Sequence, residues 1–85
     1  MGANQAPEKS FRIGYCQASV FKNTIEPKEG PKRVVRNVVL SRRYQDKEGK
    51  WDGSNSFGLP DLPSALRVLE LAQQYVESVE AETTT

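Results

Sequence analysis

The chain has 85 residues, of which 36% are hydrophobic and 27% charged, a composition typical of one small globular domain. It contains no histidine and a single cysteine, which excludes histidine-based general base catalysis, histidine ligation of zinc and an internal disulfide. Residues 1–50 carry eleven Lys/Arg against five Asp/Glu, a net charge of +6, whereas residues 51–85 carry one Arg against six acids, a net charge of −5. This asymmetry, hidden in an overall charge of +1, indicates an anionic partner.

The predicted domain is short. Residues 1–9 and 81–85 have the small, polar composition of frayed ends, so we expect a disordered tail at each end and one domain over residues 10–80. A domain of that size is marginally stable alone, and oligomerisation is the aid that the composition leaves open. No stretch approaches the roughly 18 consecutive apolar residues of a membrane span and none resembles a signal peptide, so we expect no membrane partner and a reducing, cytosol-like compartment.

Three segments are predicted to be strands. Residues 11–21 are rich in aromatic and β-branched side chains and can bend at Gly14. A loop rich in proline, glycine and charge over residues 23–32 leads to the strongest strand signal, residues 33–45, and a turn at 46–49 leads to a weaker strand over 50–59. In residues 33–45 we expect even positions to face the core as far as Leu40, with a bulge near Ser41–Arg43 free to exchange the faces beyond it.

An amphipathic helix is predicted to follow, with Asp61 as its N-cap and Pro63 in its first turn. Its apolar residues sweep roughly 220° of the helical wheel, whereas a surface helix needs little more than about 100°. The surplus predicts that the helix covers its own sheet and also a second subunit across a twofold axis, although the 23–32 loop is an alternative cover. The predicted dimer interface consists of Leu66, Leu69, Ala72, Val76 and Val79.

Signals for catalysis are weak. Asp46 and Glu48 lie in a predicted turn, and a second acidic pair on the helix lies on a solvated face, so neither pair predicts a catalytic site. Cys16 is expected to be a small buried hydrophobe. We therefore expect no enzymatic activity, no cofactor, no bound metal and no small-molecule substrate.

The predicted sheet combines cations with aromatic side chains. Five Lys/Arg and no acid lie between Lys32 and Tyr44, and Lys50 and Trp51 follow across the hairpin. Lys/Arg side chains along phosphates and exposed rings under bases are what recognition of single-stranded nucleic acid requires. Taken singly, these residues also fit a solvated sheet face and a core tryptophan; together they favour nucleic-acid binding. The predicted binding residues are Lys22, Lys32, Arg33, Arg36, Arg42, Arg43, Tyr44, Lys50 and Trp51.

Three motifs in chain order carry a resemblance to a known family. They are Phe11-Arg12-Ile13-Gly14 opening a strand, Val38 to Tyr44 running into Asp46-Lys47-Glu48-Gly49-Lys50-Trp51, and Phe57-Gly58-Leu59 before the helix. Over about residues 11–79 the chain resembles the positive cofactor four family, that of the transcriptional coactivator whose C-terminal domain binds single-stranded DNA.

The resemblance implies an α+β fold: a strongly curved four-stranded antiparallel sheet (β-β-β-β-α) and one C-terminal amphipathic helix through which two copies dimerise. By position, Lys22 matches a basic residue that ends the first long strand, and Tyr44 matches an aromatic residue that stacks on bases. The chain departs from the family at Ser41, where the family tends to carry an arginine, and at residues 54–56, which are less basic. The 23–32 loop is also longer than the family's connection.

Together, these features predict a homodimeric, largely sequence-independent protein that binds single-stranded DNA, with RNA as an open alternative, and that acts as a transcriptional coactivator or regulator. We expect it in the cytoplasm, at the nucleoid of a bacterium or in the nucleus of a eukaryote. The competing hypothesis is a protein-interaction module in which the broad apolar helix face recruits a partner and the basic sheet only keeps the protein soluble.

Overall fold

Residues 6–81 are described by the computed structural model. Their strands are β1 (Lys9–Ile13), β2 (Cys16–Ile25), β3 (Arg33–Gln45) and β4 (Trp51–Ser54), followed by a 3₁₀ turn (Leu59–Asp61) and the helix α1 (Leu62–Glu80). The strands form one antiparallel sheet in the order β1-β2-β3-β4. This is the expected α+β fold, a four-stranded antiparallel sheet followed by one C-terminal helix.

The predicted tails lie mostly outside the described residues, since residues 1–5 and 82–85 are not among them. Where the first tail is described, it joins the sheet: Lys9 begins β1, and the backbone N–H of Glu8 donates to the carbonyl of Val20 at 2.7 Å. At residues 6–81, no helix combines the length and the apolarity needed to cross a membrane.

Residues 11–21 belong to two strands, so the prediction of one bent strand was wrong. Gly14 adopts a φ of 61°, which a residue with a side chain adopts only at a cost, and with Tyr15 it forms a two-residue turn. Ile13 and Cys16 on either side of this turn are direct partners. The aromatic and β-branched residues that flank Gly14 on both sides conceal the turn in the sequence.

The register of β3 is constant along the strand. β2 pairs with Arg33 to Arg42 and β4 pairs with Arg42 to Gln45, each at a fixed offset. No bulge therefore interrupts β3 near Ser41, and its even positions share one face along the whole strand. The predicted strand over residues 50–59 is shorter in the structure. β4 ends at Ser54, because the chain then crosses toward the helix.

The core lies between α1 and the first two strands. Small side chains on both elements allow close packing, and the buried residues are Cys16, Ala18 and Val20 of β2 with Ala65, Val68 and Ala72 of α1. We call this side of the sheet the helix face and the opposite side the open face. Direct cross-strand partners point to the same side, so the helix face of β3 carries Val34, Arg36, Val38, Leu40, Arg42 and Tyr44. Its open face carries Arg33, Val35, Asn37, Val39, Ser41, Arg43 and Gln45.

Candidate nucleic-acid interface

Four side chains meet at the end of the open face where the β1–β2 turn abuts the β3–β4 hairpin. The rings of Tyr15 and Trp51 lie 5.5 Å apart between centroids, with 35° between their planes. The guanidinium of Arg43 lies 5.6 Å from the centroid of the Trp51 ring. Arg12 lines the same cavity as these three side chains. We call Arg12, Tyr15, Arg43 and Trp51 the basic–aromatic cluster.

Two turns hold this cluster in place. Gly14 turns the chain so that Tyr15 stands beside β3, where its carbonyl accepts the backbone N–H of Arg43 at 2.9 Å. In the hairpin, the carboxylate of Asp46 accepts the N–H groups of Glu48 and Lys50, each at 2.9 Å. The carboxylate thus orders the turn that precedes Trp51, and both rings of the cluster are positioned by hydrogen-bonded backbone.

The cluster is accessible to a ligand. Tyr15 is 60% exposed and Trp51 is 48% exposed, which is unusual for large aromatic residues in a small domain. Within residues 6–81, neither Arg12 nor Arg43 forms an ion pair with an acidic side chain, so both cations are available to an anion.

Two cavities adjoin the cluster and share Tyr15, Arg43 and Trp51 as lining residues. One, of about 230 Å³, is completed by Arg12 and Gly14. The other, of about 250 Å³, is completed by Arg42, Tyr44 and Gln45. Flat rings beside guanidinium groups offer stacking surfaces for planar groups and hydrogen-bond donors for phosphate oxygens.

The cations on the helix face have protein partners instead. Arg36 is held by the carboxylate of Glu8, with Nε to Oε1 at 2.8 Å and Nη2 to Oε2 at 3.2 Å, and by Glu80 at 3.5 Å. Its side chain is only 12% exposed. The hydrogen bond from Arg36 lowers the pKa of Glu8, against the opposing effect of desolvation, and a hydrogen bond with Tyr75 and the charge of Lys22 lower it further. Arg36 therefore ties β3 to the N-terminal segment and to the end of the helix.

Arg42 has a similar structural role at the other end of the helix. Its Nε donates to the carbonyl of Ser56 at 2.9 Å and lies 3.5 Å from the carboxylate of Asp61. The Tyr44 hydroxyl, on the same face, donates to the Asp52 carboxylate at 3.4 Å. Asp61 occupies the predicted N-cap position, but its carboxylate accepts the N–H of Gly58 at 3.0 Å and makes no capping bond within α1.

The nine predicted binding residues are thus divided among several places. Arg43 and Trp51 meet in the cluster, and Arg33 shares their face at the far end of β3. The helix face carries Lys22, Arg36, Arg42 and Tyr44. Lys32 lies 3.9 Å from Glu26 across the 26–32 loop, and Lys50 lies in the hairpin turn.

Sequence reasoning missed two members of the cluster, Arg12 and Tyr15. Arg12 lies between Phe11 and Ile13, so period-two alternation places it on the open face once β1 is recognised as a separate strand. Tyr15 follows Gly14 directly. An aromatic residue next to a glycine that can turn the chain was the available signal that its ring is exposed at a turn.

The five predicted dimer residues differ in exposure. Ala72 is fully buried in the core of its own chain, and Val76 packs against that core. Leu66 is 63% exposed, whereas Leu69 and Val79 are about two-fifths exposed at 37% and 43%. The 26–32 loop consists of exposed residues, and Leu62, Leu66 and Leu69 of α1, which we call the leucine flank, remain exposed to solvent.

No protein-family model, curated protein or solved structure matches this chain. At residues 6–81, no group of three or more Cys, Asp or Glu side chains is placed to hold a metal ion.

Burial raises the pKa of the Cys16 thiol, the carboxylate of Asp61 raises it further, and Arg42 opposes them. A buried thiol with a raised pKa is a weak nucleophile, so the open face is the strongest candidate for function.

Proposed function

We propose that this chain is a homodimeric, largely sequence-independent protein that binds single-stranded nucleic acid on the open face of its sheet and catalyses no reaction. The observation that carries the proposal is the basic–aromatic cluster, in which two exposed rings lie beside two arginines that have no acidic partner among residues 6–81. Bases stack on Tyr15 and Trp51, while Arg12 and Arg43 bind phosphates. Every base has a π-face and every nucleotide a phosphate, so this mode of binding is tolerant of sequence.

Single strands suit this cluster better than duplexes. In a duplex the base faces are stacked on one another and are out of reach of a protein ring. Tyr15 and Trp51 lie on a sheet surface and offer no protruding helix to read the major groove. DNA is the proposed ligand because the chain resembles the positive cofactor four family. The same resemblance is the basis for proposing a role as a transcriptional coactivator or regulator, at the nucleoid or in the nucleus.

The homodimer is supported by an exposed apolar flank of α1. Leu62, Leu66 and Leu69 recur at helical spacing, and Leu66 in particular is 63% exposed. Apolar side chains aligned on one flank are typical of a protein interface. A second copy that covers this flank would compensate for the small core of a short chain.

Trp51 is the only tryptophan of the chain, so its fluorescence reports directly on the proposed site. We expect a single-stranded oligo-dT to change this fluorescence and to bind at least about tenfold more tightly than a duplex of equal length. We also expect the affinity to fall steeply as salt rises, because bound phosphates release counterions. Absent binding, or binding that salt does not weaken, contradicts the proposal. A parallel titration with oligo-U compares RNA with DNA.

A protein-interaction module is the second candidate, and the same leucine flank favours it. If the flank recruits a different protein, the isolated chain should sediment as a monomer and the oligonucleotides should leave Trp51 fluorescence unchanged. A dimer that binds oligo-dT contradicts this alternative.

A further inference from the structure

Most of one edge of β3 has no partner within the described chain. β4 pairs with β3 only from Arg42 to Gln45. Between Arg33 and Ser41, β3 pairs with β2 on one side, and residues 6–81 supply no strand on the other. Nine consecutive residues therefore present an open backbone edge.

The alternation of the backbone identifies which groups point to this edge. The N–H of Arg43 donates toward β2, to Tyr15, whereas the N–H of Asp46 donates toward the β4 side, to Lys50. Since successive residues of a strand direct their N–H and C=O groups to opposite sides, the even residues point toward β4 and, beyond it, into the open edge. The outward-pointing residues between Arg33 and Ser41 are Val34, Arg36, Val38 and Leu40.

Apart from the charges of Arg33 and Arg36, this edge lacks the usual protection against pairing. Natural edge strands are kept short, twisted by bulges, or covered, whereas this one is long, regular and rich in valine. Val34, Val38 and Val39 are exposed by 46%, 38% and 52%. A long, valine-rich edge whose central charge, that of Arg36, is already paired within its own chain is a template for another strand.

Asn37 is the midpoint of the edge, and two apolar residues lie at matching distances on either side of it, Val34 and Val35 before it and Val39 and Leu40 after it. Antiparallel pairing of two copies around that point sets Val34 opposite Leu40, Val35 opposite Val39, and Arg36 opposite Val38. We propose that two copies of this chain join through antiparallel pairing of their β3 strands on a twofold axis at Asn37. This inference rests on the proposed homodimer and specifies its edge and register.

Neighbouring registers are less favourable. An axis at Arg36 would set the two Arg36 side chains directly opposite each other, which like charges disfavour. An axis at Val38 would set Val34 opposite Arg42, whose outward edge is already paired with Ser54, and would leave Arg33 and Val34 without partners. With the axis at Asn37, the pairing uses all nine free residues, and the backbone groups of the four outward-pointing residues in each copy find partners.

The environment of Arg36 fits this register. Its charge lies one residue from the proposed axis, where it would approach Arg36 of the second copy diagonally. Glu8 and Glu80 neutralise it within each chain, at 2.8 Å and 3.5 Å. Because Arg36 reaches Glu80 and Arg42 reaches Asp61, α1 runs alongside β3, and its leucine flank joins the valines of the paired strands in one apolar surface.

Pairing at this edge would merge the two open faces into one eight-stranded surface. Arg43 lies six residues beyond Asn37, or about 20 Å at roughly 3.4 Å per residue, so the two basic–aromatic clusters would lie about 40 Å apart. The clusters would occupy opposite ends of one continuous binding surface.

The variant Asn37→Cys tests the register. Opposed residues at a non-hydrogen-bonded antiparallel site have Cα atoms about 4.5 Å apart, within the range of a disulfide. We expect mild oxidation of the folded variant to give a disulfide-linked dimer in high yield, reversed by a reductant. Lys47→Cys is the control, because Lys47 is also exposed but lies in the turn between β3 and β4, beyond the end of this edge. The wild-type chain controls for Cys16, which is 1% exposed.

The possible results separate this inference from the broader proposal. A sedimenting dimer in which Asn37→Cys and Lys47→Cys cross-link equally slowly would overturn the β3 pairing and leave the homodimer standing. A monomer at all concentrations would overturn both and leave nucleic-acid binding to the Trp51 titration. Amide exchange of the wild-type chain is an independent check. We expect slow exchange at Val34, Val38 and Leu40, and rapid exchange there contradicts the pairing.

Discussion

Arg42 and Arg43 are neighbours in β3, yet their side chains lie on opposite faces of the sheet and meet different groups. On the helix face, Arg42 contacts the Ser56 carbonyl and the Asp61 carboxylate, which fixes the chain as it enters the helix. On the open face, Arg43 lies over the Trp51 ring and, among the described residues, has no acidic partner. Of these two adjacent cations, Arg42 thus stabilises the fold and Arg43 belongs to the proposed binding site. The number of cations along a strand therefore does not show how many of them are available to a ligand.

The aromatic residues of the hairpin provide the sharpest test of this division. Trp51 lies on the open face, and Tyr44 lies on the helix face beside Asp52. We expect Trp51→Ala to weaken oligo-dT binding by about 5- to 150-fold, since one base–aromatic stack contributes roughly 1–3 kcal/mol. Tyr44→Ala should weaken it by less than about threefold, because Tyr44 lies on the helix face, where its hydroxyl donates to Asp52.

Fluorescence anisotropy of a labelled oligonucleotide measures both affinities without depending on the tryptophan. Circular dichroism establishes that each variant keeps the fold. Equal losses for the two alanine variants would mean that the two faces do not divide recognition, and a larger loss for Tyr44→Ala would place the bases on the helix face.

Replacing either arginine should have a smaller effect than Trp51→Ala, and the two replacements should change different properties. Arg43→Ala should lower the affinity for oligo-dT and reduce the magnitude of its salt slope by about 1, as expected for one lost phosphate contact. Arg42→Ala should leave that slope nearly unchanged and destabilise the fold by about 1 kcal/mol, or roughly 4–8 °C in Tm. A salt-dependent titration and a thermal melt of each variant check this pair. If Arg42→Ala changes the slope and Arg43→Ala does not, the roles are reversed.

The sequence was sufficient for the main elements because their signals are local. The valine-rich β3, the Asp46–Gly49 turn and the amphipathic α1 are each marked by residue types that favour one backbone conformation. The division of the cations was harder to predict because it depends on parity. A single bulge would have moved Arg42 and Arg43 to the opposite faces, and only the paired register excludes it.

The cluster itself depends on contacts between distant residues. Tyr15 and Trp51 are 36 positions apart in the chain. Their rings meet because the chain turns at Gly14 and Tyr15, between the end of β1 at Ile13 and the start of β2 at Cys16. The sequence shows the glycine but not its positive φ. In the same way, the ion pairs of Arg36 with Glu8 and Glu80 join parts of the chain that local patterns treat separately.

The helix face should also show a pH-dependent contribution to the stability of the fold. Arg36 lowers the pKa of Glu8 in the folded chain, so the ion pair stabilises the fold fully above the ordinary pKa of a glutamate. That contribution is lost as the pH falls through the lowered pKa of Glu8. We therefore expect Glu8→Gln to melt below the wild type at pH 7 and the difference to disappear in strong acid.

Glu48→Gln is the matched control for this smallest effect, because Glu48 lies in the exposed hairpin turn and its backbone N–H, rather than its carboxylate, makes the observed bond there. Its melting difference from the wild type should be close to zero at both pH values. A Glu8→Gln difference that persists in strong acid would mean that Glu8 acts through packing rather than through its charge. In that case the charge of the Arg36–Glu8 pair would not be what stabilises the helix face, and the contact of Glu8 with β3 would matter through its shape alone.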